Sequence, residues 1–255
     1  MKKVITYLRY LIDYMKYADI ISIISSINYI LFKKTHKADR LVQTSIGIFN
    51  CRGGTNDFQF ANYYYEWGVK KFILDRIADY DVFIDGGACI GEYSILLAKK
   101  GLRCYAFEPV QSSFDALSDN IKLNKLEKQV TIFQYGLGEA NEKVGLVYNP
   151  VNTGASHIAR VEEKPDLQVE IKTFDSILES LDIMKDERIL FKLDVEGMEP
   201  ETIKGASQFI TDFPNITFIL EDKHSGEDSI KSAFGETAPF SFGIVDEYNI
   251  YATKT

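Results

Sequence analysis

Asp81-Val82-Phe83-Ile84-Asp85-Gly86-Gly87-Ala88-Cys89-Ile90-Gly91 is an apolar run that breaks into a glycine-rich turn, with a helical pattern at Tyr93–Lys99 directly behind it. Glycine permits backbone angles and close ligand approach that a side chain would forbid. The helix start that follows presents unpaired N–H groups to ligand oxygens. Asp85, at the strand end, would repel a phosphate and welcome an ammonium or a hydroxyl, which favours S-adenosylmethionine over a dinucleotide. A glycine turn can also serve packing alone, so a second feature is needed.

Tyr105-Ala106-Phe107-Glu108-Pro109 supplies it. It closes the next strand with an acid about 20 residues after the glycines, where folds of this kind place the carboxylate that binds ribose hydroxyls. Pro109 keeps Glu108 out of the helical region. Further strand-like runs lie at Val130–Tyr135, Ile189–Leu193 and Ile216–Leu220, with helical patterns at Phe114–Leu123 and Glu199–Ile210 between them. Short continuous apolar strands alternating with helices predict a mostly parallel α/β sheet covered on both faces. Phe240–Val245 and Tyr248–Ala252, joined at Asp246-Glu247, predict a C-terminal antiparallel hairpin.

The 255 residues are 45% hydrophobic and 26% charged, which excludes intrinsic disorder. With 29 Lys and Arg against 37 Asp and Glu the net charge is −8, so a nucleic-acid partner is not expected. Cys51, Cys89 and Cys104 are isolated, which argues against disulfides and zinc and fits a reducing, cytoplasmic setting.

Val4 to Phe32 is rich in Ile, Leu and Tyr, but Arg9, Asp13, Lys16 and Asp19 interrupt it. The uncharged run Ile20–Phe32 falls short of the roughly 20 residues that span a bilayer, and no small-residue cleavage site follows. An amphipathic helical segment is expected, packing on the body or on a second copy in a homo-oligomer. Lys33, Lys34 and Lys37 leave membrane-surface contact open. Leu41–Asn50 reads as extended and ends in the turn Arg52-Gly53-Gly54-Thr55-Asn56-Asp57, a hairpin or loop module. Phe60–Ala78 has helix-like spacing.

These features together resemble the FkbM-type S-adenosylmethionine-dependent methyltransferases. The resemblance rests on Asp85–Gly91 with Gly91-Glu92-Tyr93-Ser94, and on Ala106–Pro109 with Asn120 and Asn124 downstream. It rests also on Lys192-Leu193-Asp194-Val195-Glu196-Gly197 followed by Gly205-Ala206, and on Leu220-Glu221 with His224. Arg52–Asp57 looks like the family's upstream element. Cys89, where the family more often has Asn, and Gly86, usually an aliphatic position, depart from the pattern.

The resemblance implies a seven-stranded, Rossmann-like class I methyltransferase domain over residues 61–255, preceded by a helical and hairpin extension over residues 1–60. It also implies donor-binding roles. Asp85 would face the amino group, and Gly86, Gly87, Ala88 and Gly91 would cradle the methionine end. Glu108, held by Pro109, would bind the ribose, and Tyr135 and Gly136 would flank the adenine. Asp194 would lie beside the transferring methyl, as would Glu196, which shares its strand face by alternation.

Thr153-Gly154-Ala155-Ser156-His157 lies in a connection from Asn149 to about Leu167, long enough to be a lid, which makes Ser156 and His157 acceptor-side candidates. Asp194, Glu196, Glu221 and His224 carry metal-compatible donors, but methyl transfer from a sulfonium needs no Lewis acid, and no metal is assigned. The expected reaction is O-methylation of a sugar or other small-molecule hydroxyl in glycan or secondary-metabolite biosynthesis, with Asp194 or His224 as base. A non-catalytic adenosyl-binding scaffold is the rival reading. A nicotinamide oxidoreductase is weaker, because the turn lacks a full G-x-G-x-x-G.

Overall fold

The computed structural model describes residues 2–255, with side chains from residue 7 onward. Helices α1 (Lys2–Lys16) and α2 (Ile20–Phe32) precede an antiparallel hairpin of β1 (Arg40–Gln43) and β2 (Ile48–Cys51). The single turn α3 (Asp57–Phe60) and helix α4 (Trp67–Leu74) lead into β3 (Val82–Gly86), α5 (Glu92–Ala98), β4 (Arg103–Phe107), α6 (Gln111–Leu123) and β5 (Val130–Phe133). Four short strands follow: β6 (Gly136–Leu137), β7 (Glu142–Val147), β8 (His157–Ile158) and β9 (Leu167–Lys172). The chain then runs through α7 (Phe174–Ile177), β10 (Ile189–Leu193), α8 (Glu199–Lys204), α9 (Ser207–Asp212) and β11 (Ile216–Glu221). It ends with α10 (Glu227–Gly235), β12 (Phe240–Ile244) and β13 (Asn249–Lys254).

The main sheet has seven strands in the order β5-β4-β3-β10-β11-β13-β12, and only β13 opposes its neighbours. The apolar runs explain the order. Every residue of β3 and β10 is buried, and strands apolar on both faces belong in the middle of a sheet covered on both sides. Alternation then divides the core. Phe83, Cys104, Leu190 and Ile219 face a layer containing Ile95 and Leu117, together with Tyr14 and Phe49 from the first 60 residues. Val82, Phe107, Phe191 and Leu220 face the opposite layer, with Phe174, Phe209 and Phe234. The N-terminal extension thus shares a core with the sheet.

Three elements differ from the sequence expectation. Phe60–Ala78 holds a helix only over Trp67–Leu74. Glu66 is left-handed with φ 48°, and the buried Lys70 ammonium donates to the carbonyls of Tyr65 (2.8 Å) and Asn62 (3.4 Å), so those oxygens bond to an ammonium in place of a helix. The connection after β5 is a second sheet in the order β6-β9-β7-β8, its inner face set by Val169 and Ile171. Glu199–Ile210 is two helices, because the chain turns at Gly205-Ala206 and the Asp175 carboxylate accepts from the amides of Gln208 and Phe209 to start α9.

Gly205 is where the second sheet touches this corner: a Cβ there would lie 1.9 Å from the Gly138 carbonyl oxygen. Backbone cannot move aside as a side chain can. Gly205→Ala is expected to destabilise by about 1–3 kcal/mol, as overpacking does, and to lower the melting temperature by several degrees in calorimetry. An unchanged melting temperature would show that the two segments separate freely.

Candidate active site

The site forms where β3, β4 and β10 end side by side. Gly87 follows β3 with φ 90°, and a Cβ on it would come within 2.0 Å of the Asp194 carbonyl oxygen. The Asp194 amide donates to the Gly86 carbonyl oxygen at 3.0 Å. Only glycine allows the turn after β3 and the loop after β10 to approach so closely. Beyond β4, Glu108 is buried, and both its oxygens already accept backbone bonds, Oε1 from Val110 N (2.8 Å) and Oε2 from Cys89 N (3.0 Å). Each oxygen keeps a second lone pair. Burial raises the Glu108 carboxyl to about 7, against the lowering effect of those two amides.

A cleft enclosing about 640 Å³ of empty space, open solvent included, runs from this corner to the second sheet. Its polar end is lined by Gly87, Cys89, Glu108, Asp194 and Glu196. Its apolar end is lined by Val110, Leu146, Ile158 and Ile171, which belong to a small hydrophobic cluster with Val169. Thr153, Gly154, Ser156 and His157 cover it from the long connection, where His157 Nε2 lies 3.2 Å from Glu163.

Of the residues expected from sequence, Gly87, Glu108, Pro109, Gly136 and Asp194 line the cleft. Asp85, Gly86, Ala88, Gly91, Tyr135 and His224 stand behind its wall. Asp85 is buried, accepts from Ser94 Oγ at 2.6 Å, and is raised by burial to about 6. Gly86 ends β3, Ala88 is buried, and Gly91 precedes α5. Tyr135 packs on Phe107 and Phe133 under the Lys172 ammonium.

Asp194 and Glu196 both face the cleft, but strand alternation is not the reason. β10 ends at Leu193, and Glu196 is left-handed with φ 51°. Their placement depends on Glu199, fully buried, whose Oε1 accepts from the amides of Val195 and Gly197 while Ser225 donates to its other oxygen. Lys192 Nζ pairs with Asp194 Oδ2 at 2.7 Å and lies over the Tyr93 ring.

His224 sits behind Glu196, with Nε2 at 3.1 Å from it and 3.9 Å from Glu221. Burial raises Glu196 to about 7, helped by the charge of Asp194, and burial lowers His224, helped by Lys223. Both directions favour neutral forms, so the contact near pH 7 is a hydrogen bond to an uncharged imidazole more than a full ion pair. Ligand atoms of Glu196, Glu221 and His224 lie within 4.8 Å of one another, close enough to converge on one cation.

Several residues of the site were missed. Arg52 clamps the cover: it makes two bonds to the buried Asp57 carboxylate (2.7 and 2.8 Å) and donates to Thr153 Oγ1 (3.3 Å) and the Ser112 carbonyl. The Arg52–Asp57 turn was visible in the sequence, but its partner lies about 100 residues on. Glu66, Lys70, Glu92 and Tyr93 form a buried polar group beside Asp85. Tyr93 donates to Glu66 at 2.8 Å, and Glu92, 7% exposed, has an Oε2 with no partner. An acid opening a helix reads as a surface residue, so nothing in the sequence marked Glu92.

The comparisons with known proteins now bear on this geometry. A model of the methyltransferase FkbM domain matches residues 85–246. The chain belongs to the FkbM methyltransferase family. It is 29% identical over 207 residues to methyltransferase sdnD of Sordaria araneosa, covering 64% of this chain and 79% of that one. Its fold is similar to that of methyltransferase FkbM from Methylobacillus flagellatus, with a TM-score of 0.50 and 19% identity over 69% of this chain. The chain spans 44% of that longer protein. Family membership makes this FkbM-type chain a methyltransferase, with S-adenosylmethionine as its donor.

The residues present fit that donor. Asp85 and Glu92, whose Oε2 has no partner, put two acids behind the cleft wall, which suits a cationic donor. Glu108, fixed by two amides with lone pairs to spare, suits a ribose diol, and the apolar end suits a planar ring.

Burial also fixes a pH dependence. Glu92 is raised from 4.5 to about 8, opposed mainly by Lys70, and Glu108 from 4.5 to about 7. The native state therefore holds protons that the unfolded state has released, so stability falls as pH rises from about 4.5 through 8. The ligand-free protein is expected to melt highest near the acid end of that window, with a shallower decline in Glu92→Gln. Parallel slopes for the two proteins would take Glu92 out of the buried group.

Proposed function

We propose that this methyltransferase acts on an oxygen acceptor, a hydroxyl of a sugar or another small molecule in glycan or secondary-metabolite biosynthesis. The observation that carries the proposal is the pair of carboxylates, Asp194 and Glu196, at the polar end of the cleft, backed by a neutral imidazole. A hydroxyl is a weak nucleophile at neutral pH and gains from a proton acceptor within hydrogen-bond reach.

The donor supplies an electrophilic methyl carbon on a positively charged sulfur. Glu108 would hold its ribose, Asp85 and Glu92 would attract its ammonium from behind the cleft wall, and Val110, Leu146, Ile158 and Ile171 would hold its adenine. Asp194, with Oδ2 tied to Lys192, keeps its other oxygen free to orient the acceptor O–H. The acceptor oxygen forms the new bond to the methyl carbon, the carbon–sulfur bond breaks with its electrons on sulfur, and the acceptor proton passes to the free oxygen of Asp194. The rest of the task is alignment. The cover, with Ser156 and His157, is the surface left to select the acceptor, and it is held closed over the donor by Arg52.

Glu108→Ala removes two charge-assisted hydrogen bonds from the ribose while leaving the sheet intact. Such bonds contribute about 1.5–3 kcal/mol each, so calorimetry should show S-adenosylhomocysteine binding at least tenfold weaker. Unchanged affinity in a folded variant would remove Glu108 from the donor site.

Asp194→Asn keeps shape and is expected to leave product affinity within about twofold while reducing turnover by about 10²–10⁴. The measurement uses donor carrying a deuterated methyl group and a panel of hydroxylated sugars and extracts, with products read by mass spectrometry. Label in a methyl ether is the expected result. Label on nitrogen would overturn the oxygen assignment, and label in a base-labile ester would overturn the hydroxyl as acceptor.

A further inference from the structure

Helix α2 is built inside out. Ser22, Ser25 and Ser26 are buried against the body, and the Ser26 hydroxyl has no hydrogen-bond partner. Ile20, Ile21, Ile24, Ile27, Ile30 and Leu31 are exposed, Ile20 and Leu31 to 65%. A helix whose only solvent is water turns its apolar stripe inward. Here the inward positions are held by other means: the Asp19 carboxylate caps the helix at Ser22 N and takes both ends of the Arg40 guanidinium, and Tyr29 packs its edge on Phe58. The orientation is therefore fixed by the polar side, and the isoleucine face is left for something outside the chain. Phe32 continues that exposed surface at the end of α2, and α1 adds Leu8, Ile12 and Met15 as a second exposed apolar stripe.

Charge decides the occupant. Residues 1–40 carry eight Lys and Arg against three Asp, whereas the remaining 215 residues carry 21 basic against 34 acidic side chains. Lys33, Lys34 and Lys37 stand exposed just beyond the end of α2. We infer that the exposed face of α2 is a membrane-surface element that docks the enzyme on an anionic lipid bilayer, lying in the interface with its lysines among the headgroups. At 13 residues the helix is about 20 Å long, too short to cross the roughly 30 Å hydrocarbon core. Among the described residues no helix is long and apolar enough to span. A second copy fits less well, because a twofold pair would set two segments of excess positive charge against each other.

The test mixes the full chain with sedimentable vesicles of phosphatidylcholine alone, or of phosphatidylcholine with phosphatidylglycerol, at low and high salt. Binding is expected to the anionic vesicles and to weaken with salt. The triple variant Lys33→Gln, Lys34→Gln, Lys37→Gln should bind about 100-fold more weakly, near fivefold per lysine. Ile24→Gln, Ile27→Gln, Leu31→Gln should not bind, with a melting temperature close to the parent's, since these side chains are at least half exposed. Failure to pellet with either vesicle would overturn the inference. So would equal binding to neutral vesicles, full binding by the isoleucine variant, or a dimer in sedimentation velocity that the isoleucine variant dissolves without any vesicle binding. Donor affinity is independent of these outcomes and is measured separately.

Discussion

The site depends on one contact, the approach of the β3 turn to the β10 loop at Gly87 and Asp194. Parallel pairing brings Gly86 opposite Leu193, and the Asp194 amide then bonds the Gly86 carbonyl. From that bond the donor cradle and the acidic loop inherit their separation. A side chain at Gly87 would push the two strand ends apart, and the cleft would lose the corner where donor and acceptor must meet. The neighbouring strand adds Glu108 to the same corner, because the amides of Gly87 and Ala88 both donate to the Phe107 carbonyl.

Around this corner the protein buries more ionisable groups than its fold alone requires. Asp85, Glu92, Glu108, Glu196 and Glu221 are all raised, with desolvation the first cause in each. Lys192 and Lys70 are the two buried cations that offset them. Burying an acid is unfavourable unless it is paired. Five raised carboxyls beside two buried ammonium groups leave this corner short of positive charge.

The sequence carried the parts of this arrangement that are local. Turn and helix signals follow one another within Asp81–Lys99, and Glu108 follows from spacing, so β3, β4 and the acid that lines the cleft beyond β4 were legible. Ile189–Leu193 reads as a strand because it is apolar at nearly every position. What escaped was information held between distant segments. Arg52 meets Thr153 across the cover, Glu199 ties down the Asp194 loop through backbone amides, and Lys70 bonds to the Asn62 and Tyr65 carbonyls; none of these leaves a periodic trace. The alternation Leu167, Val169, Ile171 did signal a strand, but charged neighbours and the absence of an obvious partner hid it.

The cover and the corner differ in what holds them. The corner is set by strand register and close backbone contact, which tolerate little change. The cover is held by side chains, Arg52 and Asp57 on one edge and Asn56 bonding Asn152 on the other, with Ser156 and His157 exposed to the cleft between. On the proposed reading the rigid parts would face the donor, which is the same molecule in every turnover, and the adjustable parts the acceptor. Substitutions in the cover can therefore leave the strand ends undisturbed, since the second sheet, which carries the cover, meets the turn between α8 and α9 where Gly138 touches Gly205.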